Sequence, residues 1–149
     1  MNNITIRKAV LSDIEALAPI FDKYRQFYSK DSDISAAREF LLARYNHDES
    51  TIFIAIEAGA CIGFTQLYPS FSSVSLARTF ILNDLFVSET SRKKGVALKL
   101  ISAAIEFAKL SGAIRLSLST AIDNHTAKAL YDTSGWTRDK QFLVYHFTL

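Results

Sequence analysis

One passage constrains this 149-residue chain more than any other. Over residues 79–110 an apolar, β-prone segment, TFILNDLFV, enters a polar turn ending in SRKKG, and an apolar segment with helical spacing follows at once. A hydrophobic period near two gives way to one near 3.6, which predicts strand, turn and helix. Three cations, Arg92, Lys93 and Lys94, stand where that helix begins. A helix N-terminus already carries roughly half a positive charge, so cations there are mildly unfavourable unless an anion joins them. The first-turn N–H groups lack intrahelical acceptors. Gly95 removes a side chain where a ligand could approach the backbone, and small Ala97 does nearly the same. Arg92, Lys93, Lys94, Gly95, Val96 and Ala97 therefore read either as a pyrophosphate cradle or as a solvated basic turn with an incidental glycine. Spacing alone leaves these even. The stretch matches neither G-x-x-x-x-G-K-[ST] nor G-x-G-x-x-G, which disfavours a P-loop and a dinucleotide fold.

The other elements arrange themselves around this passage. Residues 4–7 (ITIR) alternate as a strand. Ser12-Asp13 precedes Ile14, Leu17, Ala18 and Phe21, a capped helical spacing that residues 35–45 repeat. Residues 51–57 and 61–68 read as a hairpin around Ala58-Gly59-Ala60, and residues 69–75 as a Ser-rich loop. Leu98, Ile101, Ile105 and Ala108 mark the apolar stripe of the next helix, which Gly112 stops. Residues 114–119 alternate as a strand, 123–134 form a helix closed by Gly135, and 142–149 form a last strand. The order β-αα-β-β-β-α-β-α-β predicts an α/β fold with a mixed sheet and helices on both faces. With no repeat and no low-complexity linker, residues 1–149 read as a single domain.

Composition removes several function classes. A net charge of +2 is too small for nucleic-acid or membrane binding by bulk electrostatics. The single Cys61 excludes an internal disulfide framework and reads as a buried core thiol. His47, His125 and His146 lack metal-ligand spacing, so no metal is expected. No apolar run approaches the ~18 residues of a membrane span. The N-terminus lacks the apolar core of a signal peptide, so a cytoplasmic location is the default expectation.

A second constellation follows the strand at 114–119. Asn124 and Tyr131 are seven residues apart, nearly two helical turns, and so share one face, with small Ala127 between them. Asn124 also suits a helix N-cap, and Tyr131 a core aromatic with its hydroxyl satisfied.

LNDLFVSETSRKKGVALKL followed by STAIDNHTAKALYDTSGW resembles the GNAT superfamily of N-acetyltransferases. The family motif [RQ]-x-x-G-x-[GA] is met by Arg92, Gly95 and Ala97, and its downstream Asn, Tyr and Gly-aromatic by Asn124, Tyr131 and Gly135-Trp136. The resemblance covers the chain in element order and is strongest over residues 82–136. IRKAVLSDIEAL and YRQFY are similar to its polyamine- and histone-acetylating branch. Lys93 departs from a common Gly, and Ala97 from a commoner Gly.

The resemblance implies a mostly antiparallel GNAT-like sheet and an acetyl-CoA-dependent N-acetyltransferase. It implies that the anion at the basic turn is the pyrophosphate of acetyl-CoA, with Asn124 also on the cofactor side. It lays the pantetheine arm along residues 79–87, with backbone groups of Leu85, Phe86 and Val87 offered to it as to an added strand. In the family this strand splays from the one after it. Direct transfer to a primary amine in a ternary complex is implied, with a backbone N–H near Leu85 steadying the oxyanion and Tyr131 protonating the thiolate. Asp84 could bind the cationic amine or pass on its proton; an acid that only orients structure is the equal alternative. Tyr24, Tyr28 and Tyr68, with Phe27 and Phe71 nearby, would line the acceptor groove through cation–π contact, or simply pack helix on sheet. A CoA-binding sensor or assembly module without turnover is the alternative from another class. A nucleic-acid-binding domain using RKK is disfavoured by the low net charge. Many family members are dimers, and the apolar FLVYHFTL could pair or be covered, so a homodimer is one option.

Overall fold

A computed structural model describes residues 3–149. The chain divides into two compact units at Leu118/Ser119.

The first unit is built on a five-stranded sheet in the order β1-β2-β3-β4-β5. Its strands are β1 (Ile4–Lys8), β2 (Thr51–Glu57), β3 (Ala60–Ser72), β4 (Ala77–Val87) and β5 (Leu116–Ser117). The first four pair antiparallel, and β5 joins β4 in parallel. Helices α1 (Ile14–Phe27) and α2 (Ile34–Asn46) cover one face, and α3 (Val96–Leu110) the other. The mixed, mostly antiparallel sheet with helices on both faces is thus as expected. On the α1–α2 face, Leu17, Leu41, Ile54 and Phe64 are fully or almost fully buried. Each such side chain contributes roughly 1.5–3 kcal/mol on burial.

The join between α1 and α2 depends on Asp22. This carboxylate is 2% exposed. It accepts from Asp33 N (2.7 Å), Ser32 Oγ (2.7 Å) and Gln26 Nε2 (2.9 Å). Asp33 in turn caps α2, accepting from Ala36 N at 3.0 Å. Burial works against the charge on Asp22, but these donors, with Arg25, hold its carboxyl below the usual carboxylate range.

Several boundaries differ from expectation. The hairpin turn is Ala58-Gly59 alone, both residues left-handed at φ 51° and 77°, so Ala60 belongs to β3. Residues 69–72 are strand rather than Ser-rich loop, because Pro69 to Ser72 pair with Phe80 to Ala77. A long partner strand overrides the weak β-propensity of Pro and Ser. In α3 the buried face is Val96, Leu100, Ile101, Ala104 and Ala108, while Leu98 is exposed. The buried face keeps Ile101 and Ala108 of the expected stripe and adds Val96, Leu100 and Ala104.

The second unit contains α4 (His125–Thr133). Asn124 is its N-cap, accepting from Ala127 N at 3.1 Å. Residues 142–149 are not a strand. Alternating apolar residues become a strand only against a partner ladder, and among the described residues of this unit no other strand exists to supply one.

Candidate functional site

The basic turn closes the end of β4. Ser88 N donates to Ile62 O at 2.8 Å, and a 3₁₀ turn over Glu89–Ser91 leads into residues 92–95. Lys93 (φ 64°) and Gly95 (φ 76°) are both left-handed. The three cations divide their work. Arg92 Nε donates to Val87 O at 3.0 Å, and its guanidinium lies 5.5 Å from the centroid of the Phe86 ring. Lys94 Nζ pairs with Glu57 Oε1 at 3.2 Å, at the end of β2, while Glu57 Oε2 is buried without a partner. Among the described residues Lys93 makes no ion pair.

Gly95 is the N-cap of α3 and brings no capping side chain. A Cβ built there meets no atom within 4 Å. The first-turn N–H groups of this 15-residue helix therefore point past an uncrowded glycine with no side chain to satisfy them. That donor set suits a diphosphate.

Strand β4 loses its β5 partner beyond Ile81, whose mate is Ser117. From Leu82 to Val87 it pairs with β3 alone among the described residues. The edge that includes Leu85, Phe86 and Val87 is thus free of a second strand among the described residues. On its other side β4 approaches β3 closely. A Cβ on Gly63 would lie 2.8 Å from Phe86 O, so only glycine fits there.

Asp84 owes its direction to an irregularity. Gln66 pairs with Asp84, but Leu67 pairs with Leu82, which leaves Asn83 as an extra residue on β4. Such a bulge re-aims the side chains beyond it. Before it, Phe80 packs against Phe107 of α3. After it, Phe86 packs against Tyr24 of α1. Asp84 follows Phe86 to the α1–α2 face.

There Asp84 is 4% exposed. Its Oδ2 accepts from Gln66 Nε2 at 2.7 Å and its Oδ1 from Asn83 Nδ2 at 3.0 Å. The Tyr24 hydroxyl donates to Asn83 O at 3.5 Å and stands beside the carboxylate, whose charge it favours. Burial pushes the Asp84 carboxyl above the usual carboxylate range, and Gln66, Tyr24 and Asn83 offset this only in part. Burial, then the Asp84 charge, pushes the Tyr24 phenol up. The same two causes push Tyr68 up to about 12, against a downward pull from Arg44. Tyr28 meets Tyr24 edge to face at 5.2 Å. Tyr24 and Tyr68 therefore face Asp84, with Tyr28 against Tyr24. A buried carboxylate of raised pKa among phenols can hold an ammonium or take its proton.

Of the remaining aromatics, Phe27 and Phe71 are exposed, Phe71 with the Arg78 guanidinium 4.9 Å from its ring centroid. In the second unit Tyr131 lies edge to face with Trp136 at 5.8 Å. Gln66, Asn83, Gly63 and Glu57 carry no motif and were not expected at the site. The one sequence signal was a glutamine and a glycine inside an otherwise apolar strand.

The model of the acetyltransferase (GNAT) family matches residues 17–136. An uncharacterized N-acetyltransferase, YhfO, of Bacillus subtilis strain 168 is 49% identical over 142 residues, 95% of each chain. A crystal structure of a probable acetyltransferase superimposes with a TM-score of 0.92 at 39% identity, covering 97% of each chain. An aminoglycoside N-acetyltransferase, AAC(6')-Iy, solved in complex with CoA, shares the fold with a TM-score of 0.79 at 20% identity, over 100% of this chain and 97% of its own.

Proposed function

This chain belongs to the acetyltransferase (GNAT) family and is an N-acetyltransferase, and from that premise we propose that it carries an acetyl group from acetyl-CoA to a cationic primary amine by direct transfer in a ternary complex. One observation carries the reading: a single strand, β4, presents a buried acid to the α1–α2 face at Asp84 and, three residues on, runs from Val87 into the basic turn.

The first-turn amides of α3 beyond Gly95, with Val96, Ala97 and the free cation of Lys93, hold the pyrophosphate of acetyl-CoA. Arg92 and Lys94 act mainly by bracing the turn, through Val87 O and Glu57. The free edge of β4 at Leu85, Phe86 and Val87 takes the pantetheine arm. When bound, acetyl-CoA supplies an activated thioester.

The acceptor enters as an ammonium, since such amines have pKa values near ~10.4. Asp84 draws the charge, and the rings of Tyr24, Tyr28 and Tyr68 add cation–π attraction. Asp84, held above the ordinary carboxylate range, then takes the proton and frees the amine for attack. The Tyr131 hydroxyl gives a proton to the departing sulfur, a role resting on its place in the motif with Asn124. Small polyamine-like acceptors fit this acid and its aromatic neighbours.

CoA release measured over a panel of amines tests the proposal. Turnover with cationic primary amines, and none with their neutral amide analogues, is expected. Acetyl-CoA binding without turnover on any amine would instead favour a CoA-binding sensor.

A further inference from the structure

Gln66 lies wholly inside the protein with one end of its amide engaged. Nε2 donates to Asp84 Oδ2 at 2.7 Å, while the buried Oε1 has no hydrogen-bond partner. An unsatisfied buried acceptor costs about 1–3 kcal/mol. An apolar side chain of similar size would remove that cost, so the amide calls for a reason. An ionised Asp84 needs a donor from Gln66; a protonated Asp84 needs an acceptor for its own O–H. A glutamine supplies either by turning its terminal amide through a half-circle. Because Oε1 has no partner to give up, the turn breaks no bond except the one to Asp84, which it replaces.

We propose that Gln66 is a positioning residue that serves both protonation states of Asp84, donating from Nε2 to the carboxylate and, with its amide reversed, accepting through Oε1 from the carboxylic acid. This rests on the reading of Asp84 as the group that takes the amine's proton. In that step an N–H bond of the ammonium breaks and an O–H bond forms on Asp84 Oδ2. The amide reverses, and it returns when the proton leaves to solvent after turnover. Asn83 Nδ2 holds the carboxyl in place meanwhile. The titratable groups facing Asp84 are Tyr24 of α1 and Tyr68 of β3, with Tyr28 against Tyr24 and Arg44 of α2 acting on Tyr68. Both facing phenols are shifted upward, so neither titrates in the acid range.

The direct test follows the Gln66 side-chain amide by ¹⁵N–¹H NMR in the wild-type protein as pH is varied, beside the Asp84 carboxyl by ¹³C NMR. The two should change with one midpoint; a Gln66 amide indifferent to the Asp84 transition overturns the proposal. In kinetics, Gln66→Met keeps the length and loses the donor. The acid limb of kcat/KM for the amine should move up by about one pH unit, the margin by which a bond to the charged carboxylate outweighs the bond to the neutral acid that is lost with it. The KM for acetyl-CoA should stay unchanged. An unmoved limb in folded Gln66→Met also overturns the proposal. Gln66→Glu, which places a second carboxyl beside the first, should raise the limb further. Asp84→Asn separates the two levels. If it leaves the acid limb intact, the reading of Asp84 as base fails, whatever the NMR gives. If it abolishes the limb while Gln66→Met leaves it in place, only the role of Gln66 fails.

Discussion

Asp22, in α1, and Asp84, facing α1 from β4, are both buried carboxylates, 2% and 4% exposed, and accept three and two hydrogen bonds respectively from neighbouring groups. Their proton affinities nonetheless move in opposite directions. Asp22 receives a main-chain N–H and has Arg25 near it. Asp84 receives only the side-chain amides of Gln66 and Asn83, with the Tyr24 phenol beside them, and no cation shifts it. Burial alone therefore does not identify a functional acid. The source of its partners does: backbone and cation commit a carboxylate to its charge, while neutral side chains leave it able to give the charge up.

The sharpest test of that contrast is a pair of isosteric changes. Asp84→Asn should lower kcat/KM for the amine by ~10²–10⁴, the range of general acid–base contributions, with acetyl-CoA affinity nearly intact. Asp22→Asn should leave turnover unaltered. Equal losses in both, measured on folded protein, would erase the distinction. Next in size, Tyr131→Phe should lower kcat toward the lower end of that range, by ~10², with the Tm held. An undiminished kcat shown to be limited by chemistry would leave Tyr131 as a packing partner of Trp136.

Stability separates the two acids by sign. Asp22→Ala should cost about 2–3 kcal/mol in denaturant unfolding, because Asp33 N, Ser32 and Gln26 lose a charged acceptor. The folded pKa of Asp22 is depressed. Its contribution is present above the unfolded value and is lost as pH falls through the folded one, so Asp22→Asn and wild type should converge in acid. The folded pKa of Asp84 is raised. Stability is then fully present below the unfolded value and is lost as pH rises through the folded one. Asp84→Asn should therefore melt above wild type at neutral pH and match it in acid. A lower neutral Tm would show that the acid is structural after all.

The smallest effect on the fold is expected at the turn. Gly95→Val forces a branched residue to φ 76° and should cost ~1–2 kcal/mol, since no atom lies close enough to clash. Its weakening of acetyl-CoA binding, followed by calorimetry, should exceed what that strain explains. Unchanged affinity would withdraw the turn from the site.

The strand–turn–helix passage, the hairpin and the Asn124 cap were legible because each rests on local chemistry: period, left-handed glycine, side-chain acceptor. Asp84 could be singled out as an acid in the motif strand, and Tyr24, Tyr28 and Tyr68 as candidate lining of an acceptor groove, but not their placement around that acid. What escaped depends on pairing between distant segments. Residues 69–72 become strand only because residues 77–80 lie alongside. Residues 142–149 have a strand's alternation and no other strand among the described residues of their own unit. The environment of Gln66 is set by a register shift that no spacing within β3 announces. The protein partners of Arg92 and Lys94, Val87 O and Glu57, likewise lie outside anything the turn's own sequence shows.

The extra residue at Asn83 makes the location of the acid a question of odd and even. Counting by twos from Phe80 through Leu82 would deliver Asp84 to the α3 side, into the layer that holds Leu85 and Val87. Excising Asn83 would leave every remaining β4 residue one mate on β3 and mend the ladder. It would also force one half of the strand to exchange faces with respect to the other. Either the acid enters a greasy layer, or Phe80 and Leu82 leave theirs. A more regular sheet would thus take this acid from the α1–α2 face, and a three-nucleotide insertion or deletion can move it as well as a substitution can remove it.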